Sequence, residues 1–164
     1  MSVDGTDFLI YEPTPFWTGW YSHKFNGPAL RYEVAICIQT GDIVWIHGPF
    51  AAGAWPDVKI FRHALKNLLE RGERVEADNG YGDEAVDGPH DKIYTVGQKV
   101  AKSHLRARHE TVNRRFKEFN ALQQRFRHDK EKHVHVFNAV AVIAQIAIAN
   151  ESPLFQVDYR TYNI

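Results

Sequence analysis

Two strand-forming segments on either side of a glycine turn constrain the fold of this chain more than any other part of it. Residues 31–39 (RYEVAICIQ) are rich in apolar and β-branched side chains, and residues 43–47 (IVWIH) have the same character. Thr40-Gly41-Asp42 separates them, and a connection this short joins strands in an antiparallel hairpin. We therefore predict a hairpin over 31–47 that ends at Gly48-Pro49.

The remaining patterns predict further strands and helices around this hairpin. Pro13 and Pro15 interrupt regular secondary structure after a first strand, so we predict a loop there. A long apolar run near the C-terminus contains Asn138 and Gln145 and is too short to cross a bilayer comfortably, so we predict a buried helix there. The predicted strands are 3–11, 75–78 and 154–159, and the predicted helices are 58–69, 101–127 and 131–150.

The order of these elements predicts a single α/β domain with a mixed sheet. An antiparallel meander of three strands precedes a helix, a fourth strand, an irregular link and C-terminal helices. A helical crossover that returns the fourth strand beside the first would bring its tip next to Asp4. This order is that of the ribonuclease-H-like fold, and 164 residues leave no room for a second large domain. The lone cysteine, Cys37, cannot form an internal disulfide, which favours an intracellular location.

The fourth predicted strand stops on a carboxylate and runs at once into a turn. Val75 and Ala77 suit a strand, Asp78 follows, and Asn79-Gly80 tolerates positive φ angles. Loops at the C-terminal ends of strands carry the reacting groups of many α/β proteins, so Asp78 is a candidate site residue. Taken alone, the stretch favours a solvated aspartate in a turn, and Asp78 therefore needs partners from elsewhere in the chain.

The net charge of the chain is zero, but its basic residues are unevenly distributed. Ten of the 20 Lys and Arg residues lie between Lys99 and Lys130, against three acids, Glu110, Glu118 and Asp129. Such an asymmetry is expected of a surface that faces polyanions. A helix with a solvated basic face explains the same composition equally well.

Six short motifs, spread in order over almost the whole chain, resemble those of a known enzyme family. Each motif is weak alone, and the ordered set is fairly specific. With them the chain resembles the DDE superfamily of transposase endonucleases, in particular the PIF/Harbinger-like branch. The motifs are Asp4-Gly5-Thr6, the 20–27 stretch ending in Lys24-Phe25-Asn26-Gly27, Gly48-Pro49 leading to Trp55-Pro56-Asp57, Ala77-Asp78-Asn79-Gly80-Tyr81, the R-x-R-x-E-x-x-N-x-x-x-K run from Arg106 to Lys117, and Leu154-Phe155.

The resemblance implies that Asp4, Asp78 and Glu110 are the catalytic acids and that they hold two Mg²⁺ or Mn²⁺ ions. The physical chemistry agrees, because three carboxylates in one pocket repel each other and hard divalent cations neutralise them. Two ions about 3.5–4 Å apart would clamp a scissile phosphate. The implied activity is metal-dependent cleavage and joining of DNA strands.

Basic residues on both sides of Glu110 are predicted to contact the DNA backbone. Contacts of this kind bind phosphates rather than bases, so we expect nonspecific, salt-sensitive affinity for DNA and, from the resemblance, a nuclear location. The predicted contacts are Arg106, Arg108, Arg114, Arg115 and Lys117.

Two positions remain open at this level. Asp57 stands where the family has an aspartate, but its place at the start of a predicted helix favours an N-cap outside the catalytic triad. On a straight helix Glu110 lies opposite an apolar stripe, so it faces the sheet only if the stripe packs on the last helix or if the helix begins near His109. Otherwise Glu84 or Asp91 is the third acid.

The alternative function is a truncated, catalytically silent descendant that binds only DNA or a partner protein. Met1 lies three residues before Asp4, so we expect the N-terminal DNA-binding region of the family to be missing. A separate DNA-binding partner or a homo-oligomer would then supply targeting. Ribonuclease-H activity on RNA is compatible with the fold, but the family motifs argue against it.

Overall fold

A mixed sheet forms the centre of the protein, seen in a computed structural model that describes residues 1–87 and 95–157. Within those residues the sheet has six strands, and four α-helices accompany it, which confirms the predicted mixed α and β class. The strands are β1 (Ser2–Leu9), β2 (Tyr21–Ser22), β3 (Gly27–Ile36), β4 (Ile43–Ala51), β5 (Val75–Glu76) and β6 (Val86–Asp87). The helices are α1 (Asp57–His63), α2 (Val96–Lys117), α3 (Asn120–Gln123) and α4 (His133–Asn150).

The strands follow the order β2-β3-β1-β5-β6, and β4 also pairs with β3. β1 is antiparallel to β3 and parallel to β5, with Ser2 opposite Glu76. The predicted return of the 75–78 strand beside the first strand is therefore confirmed. β6 is parallel to β5 and was not predicted, because two residues carry too little pattern to be recognised.

The predicted hairpin is confirmed, but the prediction that it ends at Gly48-Pro49 is wrong. Pairing continues beyond a register shift to Phe50, opposite Arg31, and to Ala51. Gly48 allows this with a φ of +146°, and a Cβ there would lie 2.7 Å from Cδ1 of Tyr32. A glycine bulge therefore lets the strand pass a proline that would otherwise stop it.

The sheet is packed on both faces. On one face, Phe8 of β1 and Tyr32 of β3 pack with Phe116 of α2 and Phe137 of α4. The ring centroids of Phe116 and Phe137 are 5.2 Å apart, so the apolar stripe of α2 packs on the last helix. The other face is covered by α1, whose Phe61 belongs to a second core cluster with Val3, Ala35, Leu65, Val75, Tyr81 and Val86.

Two helix predictions need correction, whereas α4 agrees with the predicted C-terminal helix. The predicted 101–127 helix begins earlier, at a Thr95–Gln98 capping box, and ends at Lys117. The chain turns away at Phe119, and the backbone N–H of Phe126 donates to the carbonyl of Leu9 (2.8 Å), which extends the end of β1. α1 stops at His63 and continues as a 3₁₀ turn over Leu65–Leu68.

The C-terminal segments also bear on the predictions. Residues 154–157 form no strand, and the rest of the predicted 154–159 strand lies outside the described residues. The stretch Lys130–Asn150 is long and apolar enough by length and composition to cross a membrane. One side of α4 nevertheless packs in the core through Phe137, Val140, Ala141, Ala144 and Ile148, as the helix of a folded domain does.

Candidate active site

The parallel pairing of β1 with β5 brings two predicted acids to one edge of the sheet. Ser2 lies opposite Glu76, so Asp4 and Asp78, each two residues further along, follow the paired positions on neighbouring strands. Asp78 is exposed and caps the 3₁₀ turn Asn79–Tyr81, and its Oδ1 accepts a hydrogen bond from Gly80 N–H (2.8 Å). The turn predicted at Asp78-Asn79-Gly80 therefore follows the end of strand β5.

All three predicted acids, Asp4, Asp78 and Glu110, line one pocket of about 120 Å³. Glu110 reaches it from α2 as an exposed residue, on the side of the helix opposite the apolar stripe. Glu84, the alternative third acid, lies elsewhere, with its Oε1 3.3 Å from Lys66 Nζ. Asp91 lies outside the described residues.

Asp4 is the most perturbed carboxylate of the pocket. Its Oδ1 accepts from Gly5 N–H (2.8 Å), and its Oδ2 accepts from the amide of Asn113 (3.0 Å), which follows Glu110 by three residues on α2. Burial, followed by the negative charges of Asp57 and Asp78, raises the pKa of Asp4 to about 6. A group held in this way responds strongly to any cation placed beside it.

The prediction that Asp57 caps α1 is wrong. Pro56 occupies the N-cap position, Asp57 is the first helical residue, and its side chain makes no capping hydrogen bond. Burial raises the pKa of Asp57, against the lowering effect of Arg31, whose Nη1 lies 3.4 Å from Asp57 Oδ1. Because the charge of Asp57 raises the pKa of Asp4, the acids of this region include one that the sequence prediction placed outside the triad.

The donor set suits a hard divalent cation, although the side chains do not yet converge on one point. Among residues 1–87 and 95–157, no three His, Cys, Asp or Glu side chains stand close enough together to hold one metal ion. The pocket nevertheless offers carboxylate oxygens, and one nearby oxygen, Asn113 Oδ1, is buried without a hydrogen-bond partner in the same part of the chain. Oxygen donors of this kind are those that Mg²⁺ and Mn²⁺ prefer.

The predicted phosphate contacts do not share one environment. Arg106 is exposed and lines the pocket, and Arg114 is also exposed. Arg115 and Lys117 are half-buried, with the Lys117 ammonium 5.1 Å from the ring centre of Phe25. These four residues remain candidates for phosphate contacts.

The prediction that Arg108 contacts phosphate is wrong. Arg108 is fully buried, and its guanidinium donates to the carbonyl of Ile38 (2.6 Å) and twice to that of Phe155 (3.0 and 2.7 Å). A side chain enclosed in this way ties the C-terminal segment to the end of β3 and cannot reach DNA.

Sequence analysis missed several groups around the pocket. Lys24 is exposed and lies close enough to Asp4 and Asp57 for its positive charge to lower the pKa of both carboxyl groups. The buried ion pair of Glu76 and Lys102 also lines the pocket. His109 lines it as well, and burial lowers the pKa of this histidine to about 4. Only Lys24 carried a signal, its place in one of the six motifs.

Comparison of the chain with known protein families, with curated proteins and with solved structures finds no match. The function of the pocket therefore has to be inferred from its own residues, their geometry and their chemistry.

Proposed function

We propose that this chain is the catalytic domain of a metal-dependent DNA endonuclease or transposase of the DDE superfamily, of the PIF/Harbinger-like kind. The observation that carries the proposal is that Asp4, Asp78 and Glu110, distant in sequence, line the same pocket. The proposed reaction is cleavage and joining of phosphodiester bonds in DNA. An intracellular location, in the nucleus as the family resemblance implies, is part of the proposal.

The sheet topology supports a ribonuclease-H-like fold as part of the proposal. Leaving out the two-residue β2, the strand order is β4-β3-β1-β5-β6. In this order β1, β3 and β4 form an antiparallel meander, and β5 and β6 run parallel to β1. This arrangement is the one expected from the predicted meander, crossover and fourth strand.

Asp4, Asp78 and Glu110 are the residues that would hold the divalent cations. Bound there, Mg²⁺ or Mn²⁺ supplies Lewis-acid chemistry, which activates a water or a 3′-hydroxyl and stabilises the leaving oxygen. The protein itself fixes Asp4 through Gly5 N–H and the Asn113 amide. These two hydrogen bonds fix the orientation of the Asp4 carboxylate. Asp78 and Glu110 are both exposed, so they would face the bound substrate.

Basic side chains near the pocket would bind the DNA strand. Arg106 lines the pocket, Arg114 is exposed one helical turn beyond Glu110, and Lys24 and Lys117 lie near Asp4. Point charges of this kind attract phosphates without reading the sequence. Targeting to particular sites would then come from a separate DNA-binding partner.

The test is Mg²⁺-dependent nicking of supercoiled plasmid by the wild type, by Asp78→Asn and by the control Asp129→Asn, which removes an exposed charge elsewhere. We expect nicking by the wild type and the control and a loss of at least about 100-fold in Asp78→Asn. Equal nicking by all three proteins, or none by any of them in Mg²⁺ or Mn²⁺, would contradict the enzymatic proposal.

A catalytically silent, DNA- or protein-binding descendant is the second candidate. The observation that favours it is that Arg106 and Arg114 of α2 are exposed, since their contact with DNA needs no metal ion. This candidate predicts salt-sensitive binding of plasmid DNA without nicking, whereas the enzymatic proposal predicts both.

A further inference from the structure

The carboxylate of Asp57 lies between the two residues that hold Asp4 and Asp78. A Cβ added to Gly5 would overlap Oδ1 of Asp57 and lie 2.8 Å from its Cγ. A Cβ added to Gly80 would lie 3.6 Å from Oδ2 of Asp57 and 3.0 Å from Oδ1 of Asp78. Gly5 N–H binds Asp4 and Gly80 N–H binds Asp78. The two oxygens of Asp57 therefore lie beside the two glycines whose N–H groups hold the other aspartates.

This approach requires a glycine at position 5. Gly5 lies inside β1, where a glycine weakens a strand and commonly marks the close approach of another group. The group that approaches here is the Asp57 carboxylate, brought by the first residue of α1. Asp57 thus enters the site from the helix on the opposite face of the sheet from α2, which carries Glu110.

The charge of Asp57 is poorly compensated. Its Oδ1 is buried and has no hydrogen-bond partner in the described part of the chain. The nearby Arg31 gives Nε and Nη2 to Asp7 (2.6 and 2.9 Å), while its Nη1 lies 3.4 Å from Asp57 and donates to the carbonyl of Trp55 (3.3 Å). One guanidinium therefore serves two aspartates, and Asp7 holds the closer position.

A second set of unpaired polar atoms lies beside Asp57. The Tyr81 side chain is 1% exposed and that of Glu33 is fully buried, yet Tyr81 Oη and Glu33 Oε1 have no hydrogen-bond partner among the described residues. Asp57 is the carboxylate whose charge acts most strongly on Tyr81, ahead of Glu33, Asp4 and Asp78. Buried hydroxyl and carboxylate groups without partners indicate a place for a polar ligand or an ordered water.

We propose that Asp57 is a further cation-binding residue of this site, which joins Asp4 and Asp78 around a divalent cation such as Mg²⁺ or Mn²⁺. The proposal rests on the proposed function, because it adds a ligand to the same metal site. Asp78 is exposed and held through a local turn, and its side chain would have to rotate for the three carboxylates to share one ion. The buried Tyr81 hydroxyl, which has no hydrogen-bond partner among the described residues, would be available to a water molecule bound to that ion.

The test is direct binding of Mn²⁺ to the full chain, followed by electron paramagnetic resonance, without DNA. We expect Asp57→Asn and Asp78→Asn each to weaken Mn²⁺ binding by about tenfold or more, and Asp129→Asn to leave it unchanged. If Asp57 serves only as a counter-ion of Arg31, Asp57→Asn lowers the melting temperature of the metal-free protein and leaves Mn²⁺ affinity at the wild-type level. That result would overturn this inference.

The outcomes separate the two proposals. Wild-type affinity in Asp57→Asn combined with loss in Asp78→Asn overturns the role of Asp57 and leaves the proposed function standing. Absence of Mn²⁺ binding by the folded wild type overturns both. Should Asp57→Asn fail to fold, Asp57→Ser also removes the carboxylate from the first residue of α1, and the same expectations apply to it.

Discussion

Tyr32 and Glu33 are consecutive residues of β3, so their side chains lie on opposite faces of the sheet, and their polar atoms have different surroundings. The Tyr32 hydroxyl lies 2.8 Å from His133 Nδ1, and its ring stacks on Phe137 with centroids 4.0 Å apart. Glu33 accepts one hydrogen bond from Trp45 (3.0 Å), and its other oxygen has no partner among the described residues. The Tyr32 hydroxyl is thus satisfied within an aromatic cluster, whereas one oxygen of Glu33 is left without a partner, in the described part of the chain, near the aspartates.

The difference teaches where stability and function are located. Aromatic packing between β1, β3, α2 and α4 holds the sheet in place. The edge beside β5 and the start of α1 collects carboxylates that repel each other, which costs stability and is typical of a functional site.

The packed face should be the most sensitive to truncation. Phe137→Ala removes a fully buried ring that contacts Phe8, Tyr32 and Phe116, so we expect a loss of about 3–5 kcal/mol in the free energy of unfolding. Ile143→Ala, on the exposed side of the same helix, should change it by less than about 0.5 kcal/mol. Urea unfolding of both variants measures the difference, and similar losses would show that α4 is not packed as described.

The buried guanidinium should come next. Arg108→Ala leaves the carbonyls of Ile38 and Phe155 without their donor, and we expect a loss of about 2–4 kcal/mol in unfolding free energy. Arg106→Ala, two residues away and exposed, should instead preserve stability and weaken DNA binding. Thermal melting and a DNA-binding titration on both variants would contradict this contrast if Arg108→Ala lowered DNA affinity at unchanged stability.

The carboxylate edge should respond to charge removal in the opposite direction. Burial and the neighbouring aspartates raise the pKa of Asp4 from 3.8 to about 6. A raised carboxyl pKa contributes stability that is complete below the ordinary pKa and is lost as the pH rises through the folded value. Wild-type protein should therefore lose about 1–2 kcal/mol relative to Asp4→Asn between pH 4 and pH 7, in the absence of divalent cations.

Urea unfolding at a series of pH values measures this window, with Asp129→Asn as the charge-removal control. Parallel stability curves for the wild type and Asp4→Asn would contradict the proposed repulsion. The same protonation predicts that Mn²⁺ binding weakens below about pH 6, because protons and cations compete for Asp4.

The smallest expected effect concerns a single exposed arginine. Arg114→Ala should leave stability unchanged, lower the affinity for DNA by up to roughly tenfold and reduce the salt slope of binding by about one. Arg71→Ala, exposed far along the chain from α2, is the matched control and should change neither quantity. Equal effects of the two substitutions would mean that DNA binds by overall charge and not along α2.

Much of the fold was accessible from sequence because its signals are local. The hairpin follows from two β-rich runs around a short turn, and the return of Val75–Glu76 beside β1 follows from rules of strand connection. The end of α2 was not accessible. Phe126 leaves the helical path because it pairs with the end of β1, a contact between residues more than a hundred positions apart.

The candidate site divides in the same way. Asp78 and Glu110 were predicted from their places in an ordered set of motifs, and both line one pocket with Asp4. Asp57 and Arg108 were misread because their surroundings come from distant segments. The absence of a side chain at Gly5 leaves room for the Asp57 carboxylate, and the carbonyls of Ile38 and Phe155 bind the Arg108 guanidinium. None of these three residues is near Asp57 or Arg108 in sequence.

A crystal of the protein grown with Mn²⁺ and examined by anomalous diffraction tests the central claim most directly. We predict an anomalous peak within about 2.0–2.4 Å of carboxylate oxygens of Asp4 and Asp78. A well-ordered structure in which Mn²⁺ binds elsewhere, or in which the Asp4 and Asp78 carboxylates hold no ion at millimolar Mn²⁺, would contradict the claim that this edge of the sheet is a metal-dependent active site.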